Sequence, residues 1–430
     1  MVRIDPTICC ACGGCVSLCP VGALFLAETR LEVRSACTDC GRCVEVCPTG
    51  ALSLETPGKG ISSAAPERDS YDVVVVGGGP AGAVAAAEAA RLGLSTLLVE
   101  KRQDIGAPVR CAEGVSAAGL LPFVQPDPHW IAAQVHRAEI IARQGKHETL
   151  RHYQGGQGYI LERKVFDRAL AEEAARAGAS VRVKTAASGV VLQGGRVVGL
   201  RLRQGQRELE VACRLVIAAD GVESQVGAWA GLPTLLPPQD AMSCAQYLLA
   251  GVDTDPACCR YWVSEALAPG GYVWVFPKGE GRANVGLGVQ ADLAPEPALA
   301  LLNRFVENEK GLSGGHPVAL MSGVVPVALP LPRLVADGLM VVGDAARQVD
   351  PLSGGGIVNA MEAAWMAAQT AARALEGGVA SAAQLRPYEE SWRASTGRRI
   401  EKSYRLRERF APGQRTSPGF LRVFAVAVAG

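Results

Sequence analysis

Tyr71-Asp72-Val73-Val74-Val75-Val76-Gly77-Gly78-Gly79-Pro80-Ala81-Gly82, followed by an alanine-rich segment and by Leu97-Leu98-Val99-Glu100-Lys101-Arg102, is the stretch whose reading decides the fold. A β-branched run bounded by glycines predicts a buried parallel strand, and Ala83 to Leu92 predicts a helix. Gly77, Gly79 and Gly82 have the G-x-G-x-x-G spacing: a tight turn, close backbone approach to a pyrophosphate, and close packing of helix on strand. The helix N-terminus would face the anion. Glu100 ends the second strand, where a carboxylate can accept bonds from ribose hydroxyls. A glycine-rich turn of some other α/β unit would not need all of these features together.

Composition bounds what else the chain can be. Its 430 residues suffice for about two or three domains with full cores. Lys+Arg 43 against Asp+Glu 42 leaves a net charge of +1 and no basic stripe to follow a phosphate backbone, so nucleic acid is not an expected partner. The N-terminus goes straight into cysteines with no apolar leader, which points to the cytoplasm. The apolar stretch from Asp72 to Leu94 is interrupted by glycines, Pro80, Glu88 and Arg91 and is not expected to span a membrane.

Fourteen cysteines would suit a secreted disulfide scaffold, but their spacing says otherwise. Cys9, Cys12, Cys15 and Cys19-Pro20 follow C-x2-C-x2-C-x3-C-P, and Cys37, Cys40, Cys43 and Cys47-Pro48 repeat it. Val21-Gly22-Ala23-Leu24 and Thr49-Gly50-Ala51-Leu52 extend the duplication. Three close thiolates grip one cubane, and the fourth reaches its neighbour. Cys9, Cys12, Cys15 and Cys47 are therefore expected to hold one [4Fe-4S] cluster, and Cys37, Cys40, Cys43 and Cys19 the other. A pair of zinc sites would need only C-x2-C pairs, without the proline-terminated fourth thiol. Cys10 reads as a bystander. This segment, residues 1–58, resembles bacterial two-cluster ferredoxins, and a Pro/Gly/Ser-rich linker over 59–70 follows it.

In the body, a helix is expected from Arg163 to Ala177 and a hairpin within Ser180 to Leu202 around Gly194-Gly195. Strand Arg214 to Ala219 ends at Asp220-Gly221, and strand Leu339 to Val342 ends at Gly343-Asp344. Both turns fall where open α/β sheets bind ligands. Pro351-Leu352-Ser353-Gly354-Gly355-Gly356 leads into a helix from Ile357 to Leu375, whose N-terminal dipole can stabilise an anion. These motifs in this order resemble FAD-dependent oxidoreductases related to aromatic hydroxylases. Closer still is the geranylgeranyl reductase family, which carries segments like Ile105-Gly106-Ala107-Pro108-Val109-Arg110-Cys111-Ala112-Glu113-Gly114 and Pro269-Gly270-Gly271-Tyr272-Val273-Trp274-Val275-Phe276-Pro277-Lys278-Gly279. The resemblance spans about Asp72 to Glu401.

That resemblance implies FAD contacts at Ala81, Glu100, Cys111, Ala112, Gly114, Arg163, Asp344, Gly356 and Ile357, with Ala187 a looser match. Gly77, Gly79, Gly82, Asp220 and Gly355 join them from the turns themselves. The implied fold class is α/β: an α+β ferredoxin domain, then a Rossmann-like FAD-binding domain with an inserted antiparallel-sheet substrate domain, as in aromatic-hydroxylase-like flavoproteins. The FAD-binding parts would be 71–120, 155–232 and 333–375, the substrate sheet about 121–154 and 233–332, and C-terminal helices 376–430.

Period-two alternation puts Tyr272, Trp274 and Phe276 on one strand face, an aromatic wall for a prenyl chain or an ordinary core face. Cys111 either packs against the flavin or acts chemically, and no cation is visible beside it in sequence. Cys213, Cys244, Cys258 and Cys259 read as core thiols. Gly286-Leu287-Gly288 lacks a third glycine, so no second dinucleotide unit is evident. The basic run Arg398 to Arg409 and the apolar tail Phe420 to Ala429 offer either peripheral docking on the inner face of the cell membrane or a cap on the core.

The implied function is reduction of isoprenoid carbon-carbon double bonds by FAD, with electrons entering through two [4Fe-4S] clusters from a low-potential donor such as a ferredoxin. The alternative is an electron-transfer flavoprotein that reduces a quinone.

Overall fold

A computed structural model describes residues 2–6, 8–27, 30–54, 70–204, 207–378, 380–410 and 412–429. The expected linker, apart from Ser70, lies outside them.

The N-terminal module shows its duplication in the backbone. Ala11 and Asp39 (both φ 54°), Gly13 and Gly41 (φ 75° and 78°), and Gly22 and Gly50 (φ 61° and 65°) are matched left-handed positions. Gly13 and Gly41 each precede a single helical turn, Gly14–Ser17 and Arg42–Glu45, which buries Cys15 or Cys43. Positive φ costs glycine least, so these turns can be this tight. Strands Arg3–Ile4 and Leu52–Ser53 pair antiparallel, as do Leu24–Ala27 and Arg30–Val33.

The first large sheet of the body grows around Ser70–Val76. That strand lies parallel to Thr96–Val99 on one side and to the end of Arg207–Ala218 on the other. Leu339–Val341 joins Arg207–Ala218 in parallel, and the hairpin Ala186–Gln193/Arg196–Gln204 closes the far side. The expected nucleotide helix is Pro80–Arg91; it packs on helices Arg163–Arg176 and Ile357–Glu376. Its inner face is almost all alanine and glycine, which is what allows so close an approach.

The second sheet runs His316–Pro326, Ala241–Ala250, Arg282–Gln290, Tyr272–Pro277, Cys258–Val263, Ile131–Gln144, His147–Leu161, Gly114–Ser116. Two expectations are corrected here. Cys258–Val263 pairs parallel with Ile131–Gln144, so the sheet is not antiparallel throughout. The two strands come from separate excursions of the chain out of the first sheet, so no hairpin dictates their direction. Gly114–Ser116 and the end of His147–Leu161 also belong to this sheet, past the boundaries read at 120 and 154.

One face of the second sheet, with Val273 and Val275, packs on helix Ala298–Asn308. The other, with Trp274, Phe276 and Tyr261, is covered by Phe420 and Phe424 of helix Pro418–Ala429. That helix is the apolar tail of the sequence, and it caps this core. Among the described residues, no helix is long and apolar enough to cross a membrane.

Candidate functional site

Between the two sheets lies a cavity of about 1710 Å³, bordered by the glycine-rich turn, the Arg110–Ser116 segment, the aromatic strand and the C-terminal helices. At the nucleotide end the three glycines divide their work. A Cβ on Gly77 would stand 2.3 Å from the Ala219 carbonyl oxygen, and one on Gly82 would stand 1.8 Å from that of Gly77. Nothing lies within 4 Å of a Cβ on Gly79, so the open space there is available to a ligand. Glu100 accepts from the backbone N–H groups of Gly78 (2.8 Å) and Arg102 (2.9 Å), which ties it to the turn at the cavity edge.

Gly77, Gly79, Ala81, Glu100, Cys111, Ala112, Gly114, Arg163, Ala187, Asp220, Asp344, Gly355, Gly356 and Ile357 all border this one cavity, as do Tyr272, Trp274 and Phe276. Gly82 does not: it sits behind Gly77, as a helix-packing glycine must. Two strand-end carboxylates line the same wall. Asp220 takes the Val226 N–H (2.9 Å) on one oxygen, and its other oxygen is buried without a partner. Burial raises both the Asp220 and the Asp344 carboxyls above their ordinary range. An acceptor left unpaired in a cavity wall suits a hydroxyl-bearing ligand such as the ribityl and ribose groups of FAD. The residues therefore fit the dinucleotide.

Two devices fix the far end. Asp350 accepts from the N–H groups of Leu352 (3.0 Å) and Ser353 (2.9 Å), shaping the loop that enters helix Ile357–Glu376, and the Tyr272 hydroxyl donates to the Ser353 carbonyl. Gln348 accepts from the Gly343 N–H (2.6 Å) and donates to the Tyr388 hydroxyl (3.0 Å), holding the turn that carries Asp344.

Cys111 has a cation after all. Arg163 is clamped by both oxygens of Asp167 (2.6 and 2.8 Å), and its positive charge acts on the Cys111 thiol. Burial nevertheless dominates and raises the thiol, with Arg163 opposing it, so Cys111 is held as the protonated thiol. The segment around Cys111 is anchored by a buried ionic network that sequence reasoning missed. Lys278, 1% exposed, bonds Glu113 (2.7 Å), the Leu161 carbonyl (2.6 Å) and Glu162 (3.1 Å). Asn284 donates to Glu113 (2.7 Å) and to the Ala112 carbonyl (3.1 Å). The signal was a lysine and an asparagine inside otherwise apolar strand patterns.

Gln246 ties the wall to that segment. It accepts from the Trp274 indole (2.6 Å) and donates to the Cys111 carbonyl (3.1 Å). Gly286 lies under Trp274, where a Cβ would stand 2.5 Å from the ring, so the Gly286-Leu287-Gly288 pattern serves packing. Phe424 continues the wall, 5.0 Å from Tyr272 and 5.8 Å from Tyr261 between ring centroids. Cys259 is a core thiol, as read, and Cys244 packs against the same core; both also border the cavity, and burial pushes the Cys244 thiol up to about 12.

In the N-terminal module Cys9, Cys12, Cys15 and Cys47 surround one pocket, which Cys10 also borders. Cys37 and Cys40 stand within electrostatic reach of Cys43. Cys19 and Cys47 accept from the Ala23 (3.2 Å) and Ala51 (3.1 Å) N–H groups, bonds that suit sulfurs carrying negative charge. Among the described residues, no three His, Cys, Asp or Glu side chains converge as they would on a single ion. Four thiols around one pocket fit a cluster gripped by its corners.

Comparison with known proteins adds to this geometry. A geranylgeranyl reductase catalytic domain profile matches residues 240–325, an FAD dependent oxidoreductase profile residues 72–268, and a 4Fe-4S dicluster domain profile residues 1–51. Digeranylgeranylglycerophospholipid reductase 2 of Methanococcoides burtonii is 46% identical over 80% of this chain and 85% of its own. The digeranylgeranylglycerophospholipid reductase of Methanosarcina acetivorans is 49% identical over 78% of this chain and 84% of its own. The crystal structure of a geranylgeranyl bacteriochlorophyll reductase-like protein from Thermoplasma acidophilum superposes with a TM-score of 0.75 at 41% identity, covering 79% of this chain and 87% of that one. The flavin-dependent brominase Bmp2 shares the fold alone, with a TM-score of 0.62 at 19% identity over 84% of this chain and 98% of its own.

Proposed function

Because the chain belongs to the geranylgeranyl reductase family, we propose that it saturates carbon-carbon double bonds of a prenyl chain lying along the Tyr272-Trp274-Phe276 wall. The observation that carries this reading is the single cavity bordered by both the dinucleotide turn and the aromatic strand. FAD supplies hydride-transfer chemistry there, and the [4Fe-4S] clusters supply electrons one at a time.

The chain's own residues supply the rest. Gly77, Gly79 and the N-terminus of helix Pro80–Arg91 take the pyrophosphate, while Glu100, Asp220 and Asp344 take hydroxyls. An isolated alkene has no polar group to polarise, so orientation and exclusion of water carry the work. Trp274, Phe276, Tyr261 and Phe424 provide the dry wall, and Gln246 locks its angle to the Cys111 segment. Cys111 holds a proton on Sγ at neutral pH, facing the cavity. We assign it as the proton donor to the second alkene carbon.

A reduced ferredoxin or similar low-potential donor would feed the clusters. Peripheral contact with the inner face of the membrane is part of the proposal, supported by the basic helix Arg398–Arg409 and by Val426, which is 76% exposed at the cavity edge.

The test is anaerobic. Dithionite-reduced protein is given digeranylgeranylglyceryl phospholipid and, separately, menaquinone, while the flavin band is followed and products are weighed. Flavin reoxidation with a gain of two hydrogens per bond supports the reading. Reoxidation by quinone alone, with no side-chain mass gain, replaces it with the electron relay.

A further inference from the structure

Glu113 has a left-handed backbone, φ 75°, and is 3% exposed in the cavity wall between Ala112 and Gly114. A residue with a Cβ persists in that conformation only where its surroundings over-determine it. Four segments do so here. One carboxylate oxygen accepts from the Arg163 N–H (2.7 Å), at the start of helix Arg163–Arg176, where the first amides have no partner inside the helix. The other accepts from Lys278, just after the aromatic strand, and from Asn284 of strand Arg282–Gln290 (both 2.7 Å). The Glu113 carbonyl accepts from the Leu161 N–H (2.8 Å). What is left is the Glu113 N–H, and it donates to the Cys111 sulfur (3.2 Å).

That contact bears on the proton assigned to Cys111. As hydride from the reduced flavin goes to one alkene carbon, the Sγ–H bond breaks and its proton goes to the other carbon. The electron pair stays on sulfur as a thiolate, which solvent later reprotonates. A thiolate formed in a dry cavity needs donors already aimed at it. The Glu113 N–H is one, and the charge of Arg163, whose own amide Glu113 holds, adds to it. Besides Arg163 and the Glu113 carboxylate, the titratable groups facing this thiol are Cys244 on strand Ala241–Ala250 and Tyr272 on the aromatic strand. Neither donates to its sulfur: the Cys244 thiol is turned to the Met242 carbonyl and the Tyr272 hydroxyl to that of Ser353.

We propose that Glu113 is a positioning residue for proton transfer: its clamped carboxylate fixes a left-handed turn that keeps the Glu113 N–H on Cys111 Sγ, ready for the thiolate that the reaction leaves. This rests on the reading of Cys111 as proton donor. A hydrogen bond to a charged sulfur is stronger than one to the neutral thiol, so the contact favours the proton's departure more than its retention.

Glu113→Ala and Glu113→Gly both remove the carboxylate, and in each Lys278 keeps Glu162 (3.1 Å) and the Leu161 carbonyl (2.6 Å) as partners. They differ in backbone preference, since glycine enters positive φ freely and alanine does not. In each holoenzyme, alkylation of Cys111 by iodoacetamide is followed against pH by peptide mass spectrometry, beside kcat and KM on digeranylgeranylglyceryl phospholipid. Cys213, buried in the first core, stays unlabelled while the body is folded and serves as the control. In Glu113→Ala the alkylation profile should move up by about one pH unit and kcat should fall about tenfold, with KM little changed. Glu113→Gly should recover part of both. Glu113→Gln, which keeps an acceptor for the Arg163 N–H, should show no upward move. Faster alkylation on an unmoved profile, or alanine and glycine variants alike in both readouts, would reduce Glu113 to a structural pin. If Glu113→Ala holds no flavin, the flavin-free proteins carry the same alkylation test. Wild-type protein that reduces no prenyl substrate would sink the reductase reading, and the profiles alone then decide the contact between Glu113 and Cys111.

Discussion

Cys111 lies 52 residues before Arg163, and in the folded chain the charge of that guanidinium acts on its thiol. The thiol is raised above its ordinary 9.0 because burial outweighs the cation. A donor of that kind stays protonated through neutrality, so turnover should be flat from about pH 7 to 9 and fall only at more alkaline pH. Cys111→Ala should lower kcat about a hundredfold with KM and flavin content unchanged. An unchanged kcat in that variant would leave Cys111 as packing. Lys278 and Glu113 make a different kind of claim. They are 1% and 4% exposed and joined at 2.7 Å, so Lys278→Met strands a carboxylate that also holds the Arg163 and Asn284 donors. The expected cost is about 3–5 kcal/mol, read as a lower melting temperature together with loss of flavin. Melting at the wild-type temperature would show the network to be dispensable. Cys111 was legible in the sequence by motif, whereas its cation was not, because nothing local relates residues so far apart in the chain.

The strand-end carboxylates belong to the scale of the element. Asp220 and Asp344 close two neighbouring strands of the first sheet, and burial raises both above 3.8. A carboxyl with a raised folded value contributes stability that is complete below the unfolded value and is lost as pH rises through the folded one. Flavin-free protein should therefore melt higher at pH 5 than at pH 7. Adding FAD, whose hydroxyls can pair with these carboxylates, should narrow the gap. A pH-independent melt of the flavin-free form would count against unpaired carboxylates in the cavity wall. The elements themselves were readable. Helices at Arg163–Arg176 and Ile357–Glu376 and the hairpin at Gly194-Gly195 fall where periodicity and turn residues place them. The parallel pairing of Cys258–Val263 with Ile131–Gln144 was not readable, because no tight turn links those strands and pairing direction leaves no trace in composition.

At the scale of the molecule, the N-terminal module meets the body where Lys184 donates to the Cys9 carbonyl (3.1 Å), next to Thr185 of the cavity wall. If the cluster held by Cys9, Cys12, Cys15 and Cys47 is the one that passes electrons inward, Lys184→Glu should slow flavin reduction through the clusters about tenfold. Cluster content and direct reduction of flavin by dithionite should be unchanged, as stopped-flow absorbance would show. Equal rates in wild type and variant would detach this contact from electron entry. The sequence by itself determined the cluster spacing, the dinucleotide turn, the acidic strand ends and the alternation of the aromatic strand. Each is a pattern local enough for backbone geometry to impose it on consecutive residues. Only the tertiary structure decided that Arg163 stands by Cys111, that Lys278 and Asn284 hold Glu113, and that the apolar tail caps the aromatic wall while Arg407 and Arg415 border the same cavity. Burial and charge pairing depend on which segments share a volume, and the chain settles that only when it packs.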